Sequence, residues 1–172
     1  MRNERIRLIN SPFFSIATAI ASDAELSLLA VDFIAPSRWI NDPLMKKYAA
    51  SHASAKGNKC RVHIYEKNNL GGGDWGIESY EGYAKCMKNA GVTLKFLDMS
   101  FFNRSKFETR GSLIIDQTIV AVAINPIDGA PFGELSYSDE IIRSYTERFN
   151  ELWPIGEESD FFIGMLRERF TN

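Results

Sequence analysis

The sequence predicts an α/β fold, a mixed and largely parallel sheet flanked by helices on both faces. Two observations point there. Segments with apolar residues at helical spacing open on Ser-Pro or Asp-Pro pairs, and short runs rich in Val, Ile and Leu alternate with them along the first hundred residues. The 172-residue chain is also 45% hydrophobic and 12% aromatic, enough to fill one core and too much for a disordered or low-complexity chain. We read residues 1–172 as a single domain, without internal repeat or linker.

Ser11-Pro12 is a helix start, an N-cap followed by proline in the first turn, and Phe13, Ile16, Ala17, Ile20 and Ala21 then mark one buried face. Glu25 to Ile34 is nearly continuous in apolar content, as a strand covered on both faces should be. Asp42-Pro43 starts a second helix whose stripe is Leu44, Met45, Tyr48, Ala49 and His52. Cys60, Val62 and Ile64 alternate with Arg61, His63 and Tyr65 in a second strand. Ile77, Tyr80, Ala84 and Met87 follow on a helix that Gly91 can end in the left-handed conformation, and Val92 to Leu97 is a third strand.

The rhythm then changes. Lys106 to Ile115 and Ile119 to Ile124, joined by Asp116-Gln117-Thr118, predict an antiparallel hairpin. A loop holding Pro126, Gly129, Pro131 and Gly133 leads to Ser138, an N-cap for a helix carrying Ile141, Ile142, Tyr145, Phe149 and Leu152. A last short helix starts at Ser159, behind a solvated Glu157-Glu158 pair.

Composition excludes several functions. Twenty basic residues against twenty-two acidic ones, a formal net charge of −2, give no footprint for nucleic acid or an anionic membrane. No run approaches the roughly 20 apolar residues needed to span a bilayer. The basic-then-apolar start imitates a secretory signal, but Glu4 lies in its basic stretch and Asn10, Ser11 and Pro12 break the apolar one, so a cytoplasmic protein is expected. Cys60 and Cys86 are too few for a disulfide framework or a four-thiolate zinc site and read as small buried hydrophobes. His63 reads as a satisfied residue on one face of its strand and His52 as a core or interface residue, and no metal or cofactor is expected.

Two regions bear on chemistry. Gly71-Gly72-Gly73-Asp74-Trp75-Gly76 satisfies G-x-G-x-x-G between a strand and a helix, with Asp98 about 20 residues on, as nucleotide binding would want. Against it, Glu66 to Leu70 separate strand from loop, and Trp75 is bulky where a pyrophosphate should approach. The simpler reading is a βα loop in which Gly71 and Gly73 supply positive φ and Asp74 caps the helix.

The second region is FETRGSLIIDQTIVAVAIN followed by SDEIIRSYTERFNELW, Phe107 to Trp153. This strand–turn–strand, loop and helix resembles the C-terminal part of a phospholipase D-like half-domain, and the preceding βαβαβ order extends the resemblance over most of the chain. The resemblance implies a His-x-Lys-x4-Asp strand, whose histidine attacks phosphorus while the lysine, on the same side of the strand, clamps phosphate oxygens. With Asp116 at the final position, Thr109 stands for the histidine and Gly111 for the lysine; one residue later, Arg110 and Ser112 stand there with Gln117 at the end. Neither register supplies nucleophile or clamp. The resemblance therefore implies the scaffold without its usual activity. It further implies a homodimer acting in binding, sensing or regulation, by analogy in a bacterial-style regulatory or defence system, through a protein partner or an anionic ligand. Arg104, Lys106 and Arg110 are candidates for holding such an anion. The enzymatic alternative is a phosphodiesterase or nuclease with a remodelled site using Thr109, Arg110 or Asp116; the other is nucleotide binding at Gly71–Gly76.

Overall fold

A computed structural model describes residues 5–9, 11–101, 109–124 and 132–170. Its frame is one eight-stranded sheet in the order β1-β7-β6-β5-β2-β3-β4-β8. The strands are β1 (Arg5–Ile9), β2 (Ser27–Asp32), β3 (Asn58–Tyr65), β4 (Thr93–Asp98), β5 (Thr109–Ile115), β6 (Ile119–Ile124), β7 (Phe132–Ser136) and β8 (Glu157–Glu158). The helices are α1 (Ser11–Ser22), α2 (Pro36–Asn41), α3 (Pro43–Ser54), α4 (Ile77–Asn89), α5 (Asp139–Leu152) and α6 (Ser159–Phe170).

The sheet is mixed and mostly antiparallel, which corrects the expectation of a largely parallel one. Only β2–β3 and β3–β4 run parallel, each joined through helical crossovers. The reason lies in the hairpin. Its first strand, β5, docks antiparallel on β2, and β6, β7 and β1 extend the sheet antiparallel from there.

Alternation along the strands divides the core. Leu28, Ala30, Leu94, Phe96, Leu113, Ile115 and Ala121 face α1, α2, α3, α4 and α6. Val31, Val62, Ile64, Ile114, Val120 and Val122 face α5, which covers the other side with Ile142, Phe149 and Leu152. Helices thus lie on both faces, as expected, but five to one.

Capping follows local chemistry. Asp42 accepts a hydrogen bond from the Leu44 amide at 2.9 Å and so starts α3, with Pro43 in the first turn. Gly91 adopts φ 71° after α4. Gly57 also adopts φ 71°, and only glycine fits there because a Cβ would overlap the Leu26 carbonyl. Ser138 takes the N-cap position of α5 without a side-chain capping bond, while Asp139 and Glu140 place negative charge in its first turn.

Four elements were not anticipated: β1, α2, β7 and the two-residue β8. Trp39 is fully buried on α2. Cys60 and Cys86 are free thiols only half-buried, not the inner hydrophobes expected. No helix among the described residues is long and apolar enough to cross a membrane, and no His, Cys, Asp and Glu cluster there could hold a metal ion.

The hairpin turn has a second task. Asp116 and Gln117 both sit at positive φ (50° and 55°), and the Asp116 carboxylate receives the backbone N–H groups of Glu25, Leu26 and Ser27 at 2.8–2.9 Å. Although partial burial opposes it, these three donors hold its carboxyl below the usual range. Asp116 thereby ties the hairpin to the start of β2. Replacing it with Ala should lower stability by about 1–3 kcal/mol, read as a lower urea midpoint at unchanged slope; an unmoved midpoint would deny the tie.

Candidate functional site

The hairpin docks so that Gly111 of β5 lies opposite Asp32, the last residue of β2. Asp32 lies in turn beside His63 of β3, and His63 beside Phe96 of β4. Ala123 of β6 completes the row on the far side of Gly111. The row therefore crosses five strands where the parallel ones end, the edge at which α/β sheets commonly hold ligands.

Its centre is ionic and almost dry. Asp32, Arg61 and His63 are each no more than 2% exposed. Arg61 lies two residues before His63 on the same strand, so both side chains project to the same face. The Asp32 Oδ2 atom accepts from Arg61 Nη1 at 2.8 Å and from the Tyr83 hydroxyl at 3.1 Å, while Oδ1 meets His63 Nδ1 at 2.8 Å. Ala30, beside Arg61 in the sheet, leaves the long side chain room. Trp39 packs under the guanidinium, whose carbon lies 4.6 Å from the ring centroid.

The proton positions follow from the partners. Burial pushes the Asp32 carboxyl upward, but His63 and Arg61 outweigh it and bring it down to about 2. A carboxylate only accepts, so His63 Nδ1 carries the hydrogen. His52, on α3, is held by Arg61 Nη2, which only donates, at 2.9 Å from Nε2, and by the Tyr48 carbonyl, which only accepts, at 2.9 Å from Nδ1. His52 is therefore neutral with its hydrogen on Nδ1. Burial first, and the nearby Arg61 charge second, bring it down to about 3. Arg61 is raised, although burial opposes it, by Tyr83, Asp32 and Tyr48.

The residues singled out in the sequence fall into three groups. Thr109, Arg110 and Gly111 open β5, with an irregularity in the pairing between Thr109 and Gly111. A Cβ on Gly111 would come within 3.2 Å of the Val31 carbonyl and 3.5 Å of Asp32 Cβ, so a larger residue fits there only tightly. A small cavity of about 30 Å3, the size for a single water, lies between Gly111, Asp32, Arg61, Phe13 and Phe14. Asp116 is at the opposite end of β5, engaged with β2. Arg104 and Lys106 lie outside the described residues.

One 3-10 turn, Lys67–Asn69, precedes the glycine loop and a second, Gly73–Trp75, lies within it, and Gly76, not Asp74, takes the N-cap position of α4. The carboxylate of Asp74 is turned instead to the Ser37 hydroxyl at 2.7 Å, because α2 packs directly against this turn. Gly71 and Gly73 have φ of 93° and 51°, as expected of loop glycines. Trp75 packs inward, its ring centroid 6.1 Å from that of His63. Asp98 is engaged by Lys67 at 2.8 Å and by the Ser100 amide at 2.8 Å.

No protein-family model and no curated protein matches the chain in sequence. Solved structures do match. Nuc of Salmonella typhimurium, a phospholipase D family member, superimposes with a TM-score of 0.55 at 12% identity over 90% of this chain and 96% of its own. The fold is phospholipase D-like. NucT of Helicobacter pylori gives 0.54 at 12% identity over 90% of this chain and 98% of its own. TrmBL2, an archaeal chromatin protein with a novel mode of DNA binding, gives 0.57 at 15% identity over 91% of this chain, which spans only 55% of TrmBL2.

The phospholipase D-like sheet here has an Asp–Arg–His network at its centre that sequence patterning did not single out. Arg61 and His63 look like the outward positions of an alternating strand. The one signal was a charged or polar residue at three positions of otherwise apolar, doubly covered strands.

Two measurements follow from the network. Arg61→Met leaves the buried Asp32 charge without its main partner and should cost about 3–5 kcal/mol in urea unfolding; a loss under about 1 kcal/mol would make the pair energetically idle. In acid, unfolded His52 binds a proton from its ordinary 6.5 downward whereas the folded residue waits until about 3, so its contribution is full above 6.5 and lost as pH falls through that window. Asp32, lowered from 3.8 to about 2, adds a second loss between those values. Stability should therefore drop by about 1–2 kcal/mol between neutral pH and pH 5, and His52→Gln should flatten that drop.

Proposed function

We propose that this chain is a non-catalytic phospholipase D-like domain acting in binding, sensing or regulation as a homodimer. The observation that carries the reading is the fate of its two imidazoles. A phosphohistidine intermediate needs a reachable ring nitrogen beside a cation. Neither Thr109 nor Gly111 is a histidine or lysine, and both histidines of the chain are buried: His63 against Asp32, His52 between Arg61 and the Tyr48 carbonyl. Asp32 stands between Gly111 and His63 in the row, so the one nearby imidazole is on the wrong side of a carboxylate.

The tight fit at Gly111 supports the same reading, since a lysine there would press on the Val31 carbonyl and Asp32. The fold alone does not require hydrolysis, as the chromatin protein among its structural neighbours illustrates. We take the homodimer from the pairing of half-domains in phospholipase D-like proteins, and an anionic or protein ligand is the class of partner we assign, with Arg104, Lys106 and Arg110 as its candidate cations.

The purified protein should turn over no activated phosphodiester, DNA, RNA or phospholipid above a buffer control. Cleavage abolished by Thr109→Ala and by Asp116→Asn would overturn the proposal in favour of a remodelled phosphodiesterase. Light scattering should report twice the 19.5 kDa chain mass at micromolar concentration; a constant single-chain mass across a wide concentration range would remove the homodimer.

A further inference from the structure

Where β2 ends, a cavity of about 540 Å3 opens beside the ionic network and outside it. Four rings line it: Phe13 and Phe14 at the start of α1, Phe33 beyond β2 and Phe132 at the start of β7. Ala35, Ala123 and Gly133 are also at its surface, and their small size leaves the space unfilled. A Cβ on Gly133 would overlap the Phe13 ring, which therefore lies directly on the β7 backbone. β2 has parallel β3 on one side and antiparallel β5 on the other, so chain connections part at this point, as they do at the ligand crevices of α/β sheets. The volume falls within the roughly 300–1,000 Å3 of small-molecule sites.

The lining is chemically one-sided. Phe14, Phe33, Phe132, Ile34 and Ile124 are all only half-buried, so apolar surface is gathered at one mouth. Among the described residues the only charged side chain at the cavity is that of Arg38 on α2, which is exposed. Its Nη2 donates to Asp42 at 2.7 Å, and that bond uses one of five guanidinium N–H groups. The inner end is different. Phe13, Phe14, Ile34 and Ala123 also bound the 30 Å3 cavity at Asp32 and Arg61. A negative charge entering that way would lose water and meet the Asp32 carboxylate. An anionic ligand therefore has one orientation, apolar end inward and charge at Arg38.

We propose that this cavity binds an apolar monocarboxylate, its body against the four phenylalanine rings and its carboxylate on the free edge of the Arg38 guanidinium. A planar carboxylate matches the guanidinium fork. One guanidinium that already shares charge with Asp42 balances a monoanion, whereas a dianionic phosphate would be repelled by the Asp42 carboxylate. Such a ligand carries no phosphoester bond, and the site uses none of Thr109, Asp116, Arg104, Lys106 and Arg110. It stands whether or not those residues hydrolyse a phosphodiester or hold another anion.

Titrating the full chain near neutral pH with butanoate, hexanoate and octanoate, followed by 1H–15N correlation spectra, tests the site. Amide shifts should centre on Ile34, Ala35, Ala123 and Gly133, and affinity should rise roughly tenfold for each added pair of methylenes. Octanol should bind about twofold to fivefold more weakly than octanoate, and Arg38→Gln should remove that difference. Ala35→Trp and Ile124→Trp, which fill the cavity from two separate walls, should each weaken octanoate by roughly tenfold; the spectra themselves report whether each variant is folded. 2-Naphthoate beside octanoate separates a planar body from a flexible chain: binding of either supports the site and the tighter one names the body. No shift with either at millimolar concentration would overturn the proposal, as would affinity indifferent to chain length or to both tryptophan variants. An octanoate preference over octanol that survives Arg38→Gln would overturn the carboxylate's place. Displacement of octanoate by inorganic phosphate would show a site read by charge alone and overturn the apolar cavity, without bearing on Arg104, Lys106 and Arg110.

Discussion

A carboxylate in the interior of a sheet must be neutralised and hydrogen-bonded, or the strand carrying it cannot stay buried. Asp32 meets that requirement with a guanidinium and an imidazole from the neighbouring strand, the imidazole in its own row, and a tyrosine hydroxyl from α4. Much else is arranged to allow it. The small residues Ala30 and Gly111 flank the charged pair, Trp39 stacks beneath Arg61, and α3 is placed so that His52 receives Arg61's other nitrogen. The network joins β2, β3, α3 and α4, so it specifies how the helical layer sits on the sheet. The net contribution of its charges to stability is smaller than their contact energy, because ion pairs in low dielectric give back much of their Coulomb energy in lost hydration.

The same arrangement bears on chemistry. A phospholipase D-like sheet offers one edge at which its strands could present catalytic side chains, and here the middle of that edge is filled by groups satisfying one another. Both oxygens of Asp32 and both ring nitrogens of His52 are engaged, and of the Arg61 guanidinium only Nε is without a partner. Within the network the polar atoms left without a partner are Arg61 Nε and His63 Nε2, both buried.

Long amphipathic helices and the hairpin were legible in the sequence, because their signals are local: Asp42-Pro43 before α3, Gly91 after α4, and the polar triplet at 116–118 between two apolar runs. What was not legible depends on distant pairing. β1 and β7 are each only five residues long, β1 finds β7 at a sequence distance of over a hundred residues, and β8 is two residues completing an edge. The direction of the sheet was misjudged for the same reason, since nothing local dictates that β5 docks antiparallel on β2. At the site, the places of Thr109, Gly111 and Asp116 on one strand were readable. That Asp32, Arg61 and His63 form one cluster was not, because it requires the register of three strands.

The account depends on where two protons sit, and a long-range 1H–15N correlation spectrum of the imidazole rings sees them. It predicts a hydrogen on Nδ1 of both His52 and His63 in the folded protein, with the His63 signals displaced in Asp32→Asn and those of His52 displaced in Arg61→Lys. A bare, lone-pair Nδ1 on either ring, or a His63 indifferent to Asp32, would contradict the network from which the rest is derived.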